Sequence, residues 1–399
     1  MRPTLRVIAS VLLSAPLFCP AAAQPAISET SSPPVNVDAN LALTELLHAF
    51  GTRTSAPGIT AALVKADGTV VAEAWGQARL ESPGEPAEAM TPAARMMSGS
   101  VGKTYFAALF MLLVEDGVLD LDARIGPVLK DRPWFASIPN ASDLTLRMLL
   151  RHQSGIPEHI RMEEFQAALR AGPQKVWKPE ELLAFVCGKP PLFKAGEGWS
   201  YADTNYILAG VVVEAITQRP VYDMLRERIL GPLGLNDTDP NDTPRLRGLV
   251  SGYTAPSGIF PVPERVAIDE TYACNPQVEW TGGGLITTST DLAKFGAALF
   301  GGKVVSRTSL DQMLDTVSAQ NRLGPGVEYG LGVIKWQREG KTYYGHSGWF
   351  PGYVTLLMHD PGAGAIMAVQ INTDQKVIGP AFTRLGEDIL ALAGNGRSP

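Results

Sequence analysis

A continuous apolar run over residues 105–114 constrains the fold of this chain more than any other feature. A helix formed from Tyr-Phe-Ala-Ala-Leu-Phe-Met-Leu-Leu-Val is apolar on every side, so it must be buried within the protein. Lys103 lies just before the run, and Ser100 lies three residues before the lysine. The sequence therefore predicts a buried helix that begins beside a serine and a lysine.

Ser100 and Lys103 form a Ser-x-x-Lys pair. On a helix, residues three apart share a face, with Cβ atoms about 5–6 Å from each other. A serine hydroxyl is a weak nucleophile until a base takes its proton, and a lysine in a desolvated site can act as that base. Gly102-Lys103-Thr104 also ends like a phosphate-binding loop, but Met97 stands where that loop needs a glycine. The pair is therefore predicted to be a nucleophile with its base.

Residues 1–23 have the pattern of a secretory signal peptide. Two arginines precede an apolar stretch over residues 7–18, and three alanines before Gln24 supply an A-x-A cleavage site. The stretch is short for a bilayer, and no later stretch approaches about 18 uninterrupted apolar residues. We therefore expect a periplasmic or secreted protein without a membrane span, in which residues 24–40 form a Ser/Pro-rich linker.

Charge and residue spacing limit the partners of the mature chain. Loss of Arg2 and Arg6 with the signal peptide changes the formal net charge from −6 to −8, which argues against nucleic acid or an anionic membrane as partner. The histidines show no metal-ligand spacing such as His-Glu-x-x-His, so we expect no metal and no other cofactor. Cys187 and Cys274 have the option of pairing in an oxidising compartment. The expected partner is a small-molecule or short-peptide substrate, and the oligomeric state is left open.

Strand patterns occur at both ends of the chain. Near the start, two strand-like runs flank Asp67-Gly68, which is a strong hairpin signal. Near the end, further strand-like runs precede a closing helix. The predicted strands are residues 59–64, 69–75, 330–337, 341–345, 353–359 and 365–372, and the closing helix is residues 382–392.

The middle of the chain is typical of helices and loops. It includes a short helix over residues 146–150 that Thr145 can cap, and another over residues 162–169. Strands at both ends with helices between them predict an α+β (α/β) domain over residues 41–399. In it, an antiparallel sheet from both chain ends is flanked by helices and carries an inserted, mainly helical lobe. The expected sheet lobe is about residues 41–103 and 280–399, and the helical lobe is about 104–279.

Two further motifs lie at predicted element ends. Tyr201 precedes an apolar helix, whose unpaired N–H groups favour a phenolate and a role in relaying protons. The competing interpretation is that Tyr201 packs in the interior and Asp203 caps the helix. His346-Ser347-Gly348 follows a strand-like run and is expected on or beside a sheet edge, where the N–H of Trp349 can help to hold an oxyanion.

Together these motifs resemble a known family. Ser100-Val-Gly-Lys103, Tyr201-Ala-Asp203 and His346-Ser-Gly348 are similar to the motifs of the serine β-lactamase and penicillin-binding-protein fold. Within it, the chain resembles the branch of class C β-lactamases, D-alanyl-D-alanine carboxypeptidases, D-aminopeptidases and related serine esterases. Residues 149–157 and 281–288 also resemble stretches of that branch, and the likeness covers about residues 41–392.

The resemblance implies a mechanism and a site. Ser100 attacks a carbonyl, Lys103 and Tyr201 move its proton, and the N–H groups of Ser100 and Trp349 stabilise the oxyanion. His346 is also counted among the implied catalytic residues, because it is the first residue of the third motif. The implied oxyanion and substrate-binding residues are Asp203, Ser347, Gly348 and Trp349.

Two departures from the family pattern bear on the substrate. Asp203 stands where the branch has asparagine, and an ionised aspartate only accepts hydrogen bonds. His346-Ser-Gly348 replaces the Lys-Thr-Gly of class C β-lactamases, and Trp349 stands where carboxypeptidases of the branch tend to have a second hydroxyl. The expected function is therefore an exported serine hydrolase acting on esters or D-amino-acid peptides, like a carboxypeptidase or esterase.

Three alternatives remain open at this stage. One is a class C-like β-lactamase, and another is a catalytically idle module that binds the cell wall. The third is an α/β-hydrolase that uses Gly198-Trp-Ser200-Tyr-Ala202, although its last position is Ala where the nucleophile turn calls for Gly.

Overall fold

The computed structural model describes residues 37–255, 259–377 and 379–394, so the predicted signal peptide and most of the linker lie outside the described residues. The α-helices are α1 Val37–Thr54, α2 Gly102–Glu115, α3 Gly126–Leu129, α4 Leu146–Leu150, α5 Glu163–Ala171, α6 Pro179–Ala184, α7 Asp203–Thr217, α8 Val221–Leu225, α9 Gly231–Leu233, α10 Ser289–Phe300, α11 Arg307–Leu314, α12 Gln320–Leu323 and α13 Pro380–Ala391. Among the described residues, no helix combines the length and apolar composition needed to cross a membrane.

The strands of the described chain form one large antiparallel sheet and two small ones. Their bounds are β1 Gly58–Val64, β2 Val70–Arg79, β3 Glu88–Ala89, β4 Met96–Met97, β5 Asp239–Pro240, β6 Ala267–Ile268, β7 Thr271–Tyr272, β8 Leu285–Thr287, β9 Val317–Ser318, β10 Val327–Tyr329, β11 Ile334–Arg338, β12 Lys341–Phe350, β13 Tyr353–Asp360 and β14 Ala365–Ile371. The large sheet has the order β3-β2-β1-β14-β13-β12-β11-β10-β9, and the small sheets are β4-β8-β5 and β6-β7.

The large sheet joins the two ends of the chain through β1 and β14. Their register pairs Ile59 with Ile371 and Val64 with Ile366. Successive residues of a strand face opposite sides of the sheet, and β1 is buried at every position. One side of the sheet packs against α10, and the other packs against α1 and α13. The prediction of an antiparallel sheet from both chain ends, flanked by helices, is confirmed, and an antiparallel sheet excludes the α/β-hydrolase alternative.

The N-terminal hairpin forms where the sequence predicts it. The ladder of β1 and β2 closes at the pair Val64 and Val70, and the Gly68 N–H donates to the Lys65 carbonyl at 2.9 Å. Gly68 has φ +86°, a conformation that glycine adopts without the steric cost of a Cβ atom. The Thr69 N–H donates to the Asp67 carboxylate, so both residues of the Asp-Gly signal take part in the turn.

The segment between β4 and β8 is mainly helical, as expected, but also contains short strands that the sequence pattern does not predict. These are β5 to β7, two residues each, which is too short for an alternating pattern to show in sequence. Thr145 caps α4 as predicted, since its hydroxyl accepts from the Met148 N–H at 3.3 Å. The boundary between the two predicted lobes stays a prediction.

The C-terminal strands differ from the prediction at two places. Residues 330–333 form a turn rather than the start of β11. Gly332 has φ +69°, and a Cβ atom on it would lie 2.6 Å from the Ala107 side chain. β12 continues through residues 346–350, so the His346 motif lies inside a strand. Because its ladder with β11 stops at the pair Ile334 and Gly345, this half of β12 borders a local edge of the sheet.

Candidate active site

Ser100 lies in a tight turn that joins β4 to α2. β4 pairs with β8, and the buried Ser98 hydroxyl donates to the Gly283 carbonyl at 2.9 Å. Gly99 begins a 3₁₀ turn, Gly99–Val101, with φ +50°. The helix that follows is buried along nearly its whole length, as its apolar sequence predicts. These contacts fix Ser100 at the N-terminal end of α2.

Lys103 is fully buried and contacts three acceptors. Its Nζ donates to Ser100 Oγ at 3.0 Å and also contacts the Asp203 carboxylate and the Gly282 carbonyl oxygen. Burial by itself lowers the pKa of Lys103, but interactions with the Asp203 carboxylate and the Tyr201 hydroxyl outweigh burial and hold that pKa above its usual value. Lys103 is therefore an ammonium whose three N–H groups each have an acceptor.

Asp203 binds Lys103 and does not cap its own helix. It is the first residue of α7, and Ala202 stands at the N-cap without a side-chain hydrogen bond. The interpretation of Asp203 as a helix cap is therefore wrong. The backbone N–H of Asp203, at the start of this helix, instead donates to Glu158 Oε2 at 2.6 Å. Burial raises the pKa of Asp203, and the Lys103 ammonium opposes that shift.

Tyr201 places a buried hydroxyl beside the nucleophile. This hydroxyl has no hydrogen bond of normal geometry among the described residues, although Ser100 and Lys103 are close to it. The Tyr201 ring lies 4.9 Å from the Lys103 Nζ and packs on the His152 ring, with 4.2 Å between the two ring centroids. Burial raises the pKa of Tyr201 to about 12, and Lys103 opposes the shift. Tyr201 is therefore a neutral phenol at neutral pH, not the phenolate that its helix-end position suggested.

Strand β12 packs tightly on the turn that carries Ser100. A Cβ atom on Gly348 would lie 2.0 Å from the Ser98 carbonyl oxygen and 3.2 Å from the Ser100 nitrogen. A Cβ atom on Gly99 would lie 2.7 Å from the Trp349 nitrogen. The two glycines therefore make the backbones of Ser100 and Trp349 neighbours, which is the arrangement that an oxyanion hole requires.

The remaining residues of the predicted third motif surround this contact. His346 is buried, and its ring nitrogens bond the Tyr329 hydroxyl at 2.9 Å and the Ser347 carbonyl at 2.7 Å. Burial lowers the pKa of His346 to about 3, so the imidazole is neutral at physiological pH. Ser347 is exposed, and Trp349 Nε1 donates to Asp374 at 2.8 Å. His346 thus connects β12 to Tyr329, the last residue of β10, and a direct catalytic role for it stays a prediction.

Two cavities border Ser100. The larger, of about 530 Å³, has three carboxyl side chains in its wall: Glu158, Asp203 and Glu279. The apolar part of its wall includes Ile160, Met162, Leu192, Ile259, Phe260 and Leu323. The smaller, of about 200 Å³, is lined by Ser347 and Gly348 and by apolar side chains that include Leu323, Ile334, Val354 and Phe382. Arg161 also lines the larger cavity, so its wall carries carboxyl groups and one guanidinium, whereas the smaller cavity is mainly apolar.

Three residues of this site, Glu158, Glu279 and His152, are not among the residues that the sequence predicts. Glu158 directly follows residues 149–157, which resemble a stretch of the family, so its position in the sequence is a usable signal. Glu279 lies just before the Gly-rich stretch whose Gly282 carbonyl binds Lys103, and burial raises the pKa of Glu279 to about 8. His152 accepts the Ala202 N–H at 3.3 Å, a contact that joins residues 50 apart in the chain and leaves no local pattern.

The described residues include possible metal ligands and two cysteines. Within residues 37–255, 259–377 and 379–394, no group of three or more His, Cys, Asp or Glu side chains is arranged to hold a metal ion. Cys187 is partly exposed and Cys274 is buried, and both are free thiols. Cys187 and Cys274 therefore do not form a disulfide in this structure.

A serine that lies beside a buried lysine and tyrosine, with two neighbouring backbone segments arranged as an oxyanion hole requires, has the geometry of an acyl-transfer site. The chain matches the Beta-lactamase family over residues 43–385. It belongs to this family, and the resemblance found in the three motifs is confirmed. The protein is a serine hydrolase of the β-lactamase and penicillin-binding-protein fold.

The similar proteins include penicillin-binding proteins and D-aminopeptidases. Penicillin-binding protein 4 of Amycolatopsis lactamdurans is 29% identical over 78% of this chain and 80% of its own length. Penicillin-binding protein 4* of Bacillus subtilis is 28% identical over 65% of this chain, and D-aminopeptidase of Brucella anthropi is 25% identical over 76% of it. This chain spans only 56% and 54% of those two relatives.

Solved structures agree with this assignment. D-amino acid amidase from Ochrobactrum anthropi SV3, complexed with L-phenylalanine amide, superposes with a TM-score of 0.76 at 26% identity, over 90% of this chain and 100% of that protein. A D-stereospecific amidohydrolase from Streptomyces superposes with a TM-score of 0.73 at 26% identity, over 90% of this chain and 99% of that one.

Proposed function

We propose that this protein is an exported serine hydrolase that cleaves amides or short peptides of D-amino acids with a free amino group. The observation that carries the proposal is the pair of carboxylates Glu158 and Asp203, which lie beside Ser100 in the wall of the larger cavity. Acceptor-only carboxylates bind an ammonium and repel a carboxylate. An acyl group whose α-amino group is free and positively charged fits this cavity.

The D configuration is taken from the names of the similar proteins, D-aminopeptidase and D-amino acid amidase. The amidase and this chain match over nearly their full lengths, which favours a substrate of one residue or a few. The apolar part of the cavity wall, which includes Met162 and Phe260, favours an acyl group with an apolar side chain.

The proposed reaction has two halves. Ser100 Oγ adds to the substrate carbonyl and loses its proton to Lys103, while the Ser100 and Trp349 N–H groups bind the oxyanion. A proton then passes through Tyr201 to the leaving nitrogen, and the C–N bond breaks. Water, deprotonated by the same groups, releases the acid and restores Ser100.

A matched substrate set tests this proposal. We expect hydrolysis of D-phenylalanine amide and slower hydrolysis of the L isomer. N-acetyl-D-phenylalanine amide should react roughly 10- to 100-fold more slowly, since a hydrogen bond to a charged group contributes about 1.5–3 kcal/mol. Ser100→Ala should abolish turnover. A preference for the N-acetylated amide would contradict the proposal.

A carboxylesterase is the second candidate. The smaller cavity beside Ser100 has apolar walls that include Ile334, Val354 and Phe382, which suit the leaving alcohol of an apolar ester. The kcat/KM values for p-nitrophenyl esters without an amino group and for D-phenylalanine amide decide between the two. A higher value for D-amino acid esters than for the matched plain esters would favour the first candidate.

Export is proposed from the signal-peptide pattern of residues 1–23. N-terminal sequencing of the protein recovered from the periplasm or medium should begin at Gln24. Protein retained in the cytoplasm with its first 23 residues intact would contradict export.

A further inference from the structure

The resting geometry holds the proposed base in the wrong protonation state. Every N–H of the Lys103 ammonium has an acceptor, namely Ser100 Oγ, the Asp203 carboxylate and the Gly282 carbonyl. An ammonium has no lone pair, so it cannot take the Ser100 proton. The Tyr201 phenol is neutral and also cannot serve as the first base. Lys103 must lose a proton before Ser100 can attack.

Asp203 connects this ammonium to the substrate cavity. One carboxylate oxygen contacts Lys103 Nζ, while the side chain is 20% exposed and forms part of the wall of the larger cavity. Lys103 itself has no exposed surface. A cation that enters the cavity therefore meets Asp203 before it can approach Lys103, and it competes with the lysine for the same carboxylate.

We propose that Asp203 makes the activation of Lys103 depend on an ammonium group carried by the substrate. The inference rests on the proposed function, because it needs a substrate with a free amino group. When the substrate ammonium binds Asp203, it weakens the attraction that keeps Lys103 protonated and places a like charge nearby. Lys103 releases its proton to solvent and, as a neutral amine, takes the Ser100 proton when Oγ adds to the carbonyl.

The other titratable groups around Lys103 act in known directions. Glu158 favours the protonated lysine, whereas the two buried imidazoles are neutral and change the charge little. Glu279 is protonated below about pH 8, so it accepts a hydrogen bond without holding a full charge. The groups that face Lys103 from the surrounding elements are Asp203, Tyr201, Tyr206, Glu158, Glu279, His152 and His346.

The consequence is a form of substrate selection that does not depend on binding strength. A substrate without the amino group can occupy the cavity and still leave Lys103 protonated, so its acylation needs more alkaline solution. Because the kcat profile reports groups in the enzyme–substrate complex, the effect belongs in the maximal acylation rate rather than in kcat/KM.

The test compares D-phenylalanine 4-nitroanilide with 3-phenylpropionic acid 4-nitroanilide, which differ only in the amino group. The maximal single-turnover rate of 4-nitroaniline release is measured from pH 5 to 10. For the wild-type protein, we expect the acidic limb for the D-phenylalanine substrate to lie at least about one pH unit lower, a tenfold difference in rate on that limb. In Asp203→Asn the two limbs should coincide. In Glu279→Gln, which leaves the Lys103 contacts in place, the separation should persist.

The outcomes separate the two proposals. Equal acidic limbs for the two anilides in the wild-type protein overturn this inference and leave the proposed function intact. Cleavage of the phenylpropionyl anilide without cleavage of the D-phenylalanine anilide overturns both.

A binding measurement keeps the inference testable if the uncharged anilide is inert. D-phenylalaninol carries the ammonium group and has no amide or ester bond that the enzyme could hydrolyse. Calorimetric titration at neutral pH in buffers of different ionisation enthalpy should show net proton release from the wild-type protein and none from Asp203→Asn. Binding to the wild-type protein without proton release overturns the inference.

Discussion

Lys103 and Tyr201 both lie beside Ser100, yet they are held in opposite ways. The lysine ammonium has an acceptor for each of its N–H groups, and the tyrosine hydroxyl has no hydrogen bond of normal geometry among the described residues. Asp203 fixes the charge of the lysine, whereas the Tyr201 ring rests on the neutral His152 ring. The lysine side is therefore a polar cluster held by charge, and the tyrosine side is a neutral aromatic cluster whose hydroxyl lies beside Ser100 and Lys103.

This difference assigns different steps to the two residues. The Tyr201 hydroxyl is neutral, so it can turn toward a substrate and donate its proton to the leaving group. The Lys103 ammonium, in which every N–H has an acceptor, must first lose a proton and one of its hydrogen bonds. We therefore expect Lys103 to govern the attack of Ser100, and Tyr201 to govern the departure of the leaving group.

The largest effect is expected from the Ser100 and Lys103 variants. Ser100→Ala should abolish acylation, and Lys103→Ala should lower it on the order of 10⁴- to 10⁶-fold, because members of one catalytic unit do not contribute additively. Fluorophosphonate labelling and single-turnover kinetics measure the loss. Removal of the lysine leaves Asp203 as an unpaired buried charge, so Lys103→Ala with Asp203→Asn serves as the folding control. Near wild-type turnover in Ser100→Ala would sink the assignment of the nucleophile.

Tyr201→Phe should have the next largest effect, and the loss should depend on the leaving group. On amides, whose nitrogen needs a proton to depart, we expect a loss of about 10²- to 10⁴-fold. On p-nitrophenyl esters, whose leaving group departs as an anion, the loss should be much smaller. The comparison is the ratio of kcat/KM for one amide and one ester with the same acyl group. Equal losses on both substrates would instead give Tyr201 a positioning role.

Gly348→Ala should damage both sides of the site equally, because it disturbs the oxyanion hole that they share. The new methyl group would lie 2.0 Å from the Ser98 carbonyl and must displace β12 from the Ser100 turn. A shift near 1 Å costs about 100-fold in kcat/KM, and the loss should be the same for amides and esters. Gly126→Ala is the matched control, since its methyl group meets the nearest atom at 3.6 Å. If Gly348→Ala lowered the rate for amides and esters by different factors, the packing of Gly348 against the Ser98 carbonyl would not be what holds the oxyanion hole in place.

The smallest effect concerns stability and tests the neutrality of the aromatic side. The pKa of His346 is lowered to about 3, so between pH 6.5 and 3 the unfolded chain binds a proton that the native protein does not. Stability should fall as pH decreases below 6.5, by up to about 1.4 kcal/mol per pH unit for this one group. Burial lowers the pKa of His152 in the same direction.

Urea unfolding at pH 7.5, 5.5 and 4.5 measures this slope. His346→Gln keeps a side chain that can accept a hydrogen bond from Tyr329 and removes one titrating group, so its stability should depend less steeply on pH. An unchanged slope in His346→Gln would mean that the histidine is protonated in the native protein.

Local patterns in the sequence predicted the elements and part of the site. The Asp67-Gly68 turn, the Thr145 cap and the Ser100–Lys103 spacing all involve residues within four positions of each other. Helix period, strand alternation and turn chemistry act over such short distances, so their signals survive in sequence. The short strands and the Gly332 turn were missed because a two-residue strand has no period, and because close packing against α2 determines the turn.

The sequence by itself determined a buried helix with a serine and a lysine at its start, a sheet built from both ends of the chain, and a hydrolase of this family. Only the tertiary structure decided the state of the lysine, because its acceptors Asp203 and Gly282 lie 100 and 179 residues away along the chain. It also decided that Glu158, 45 residues before Asp203, holds the start of α7 and leaves the Asp203 carboxylate for Lys103. Protonation depends on burial and on charges within a few ångströms, and those distances exist only once the chain has folded.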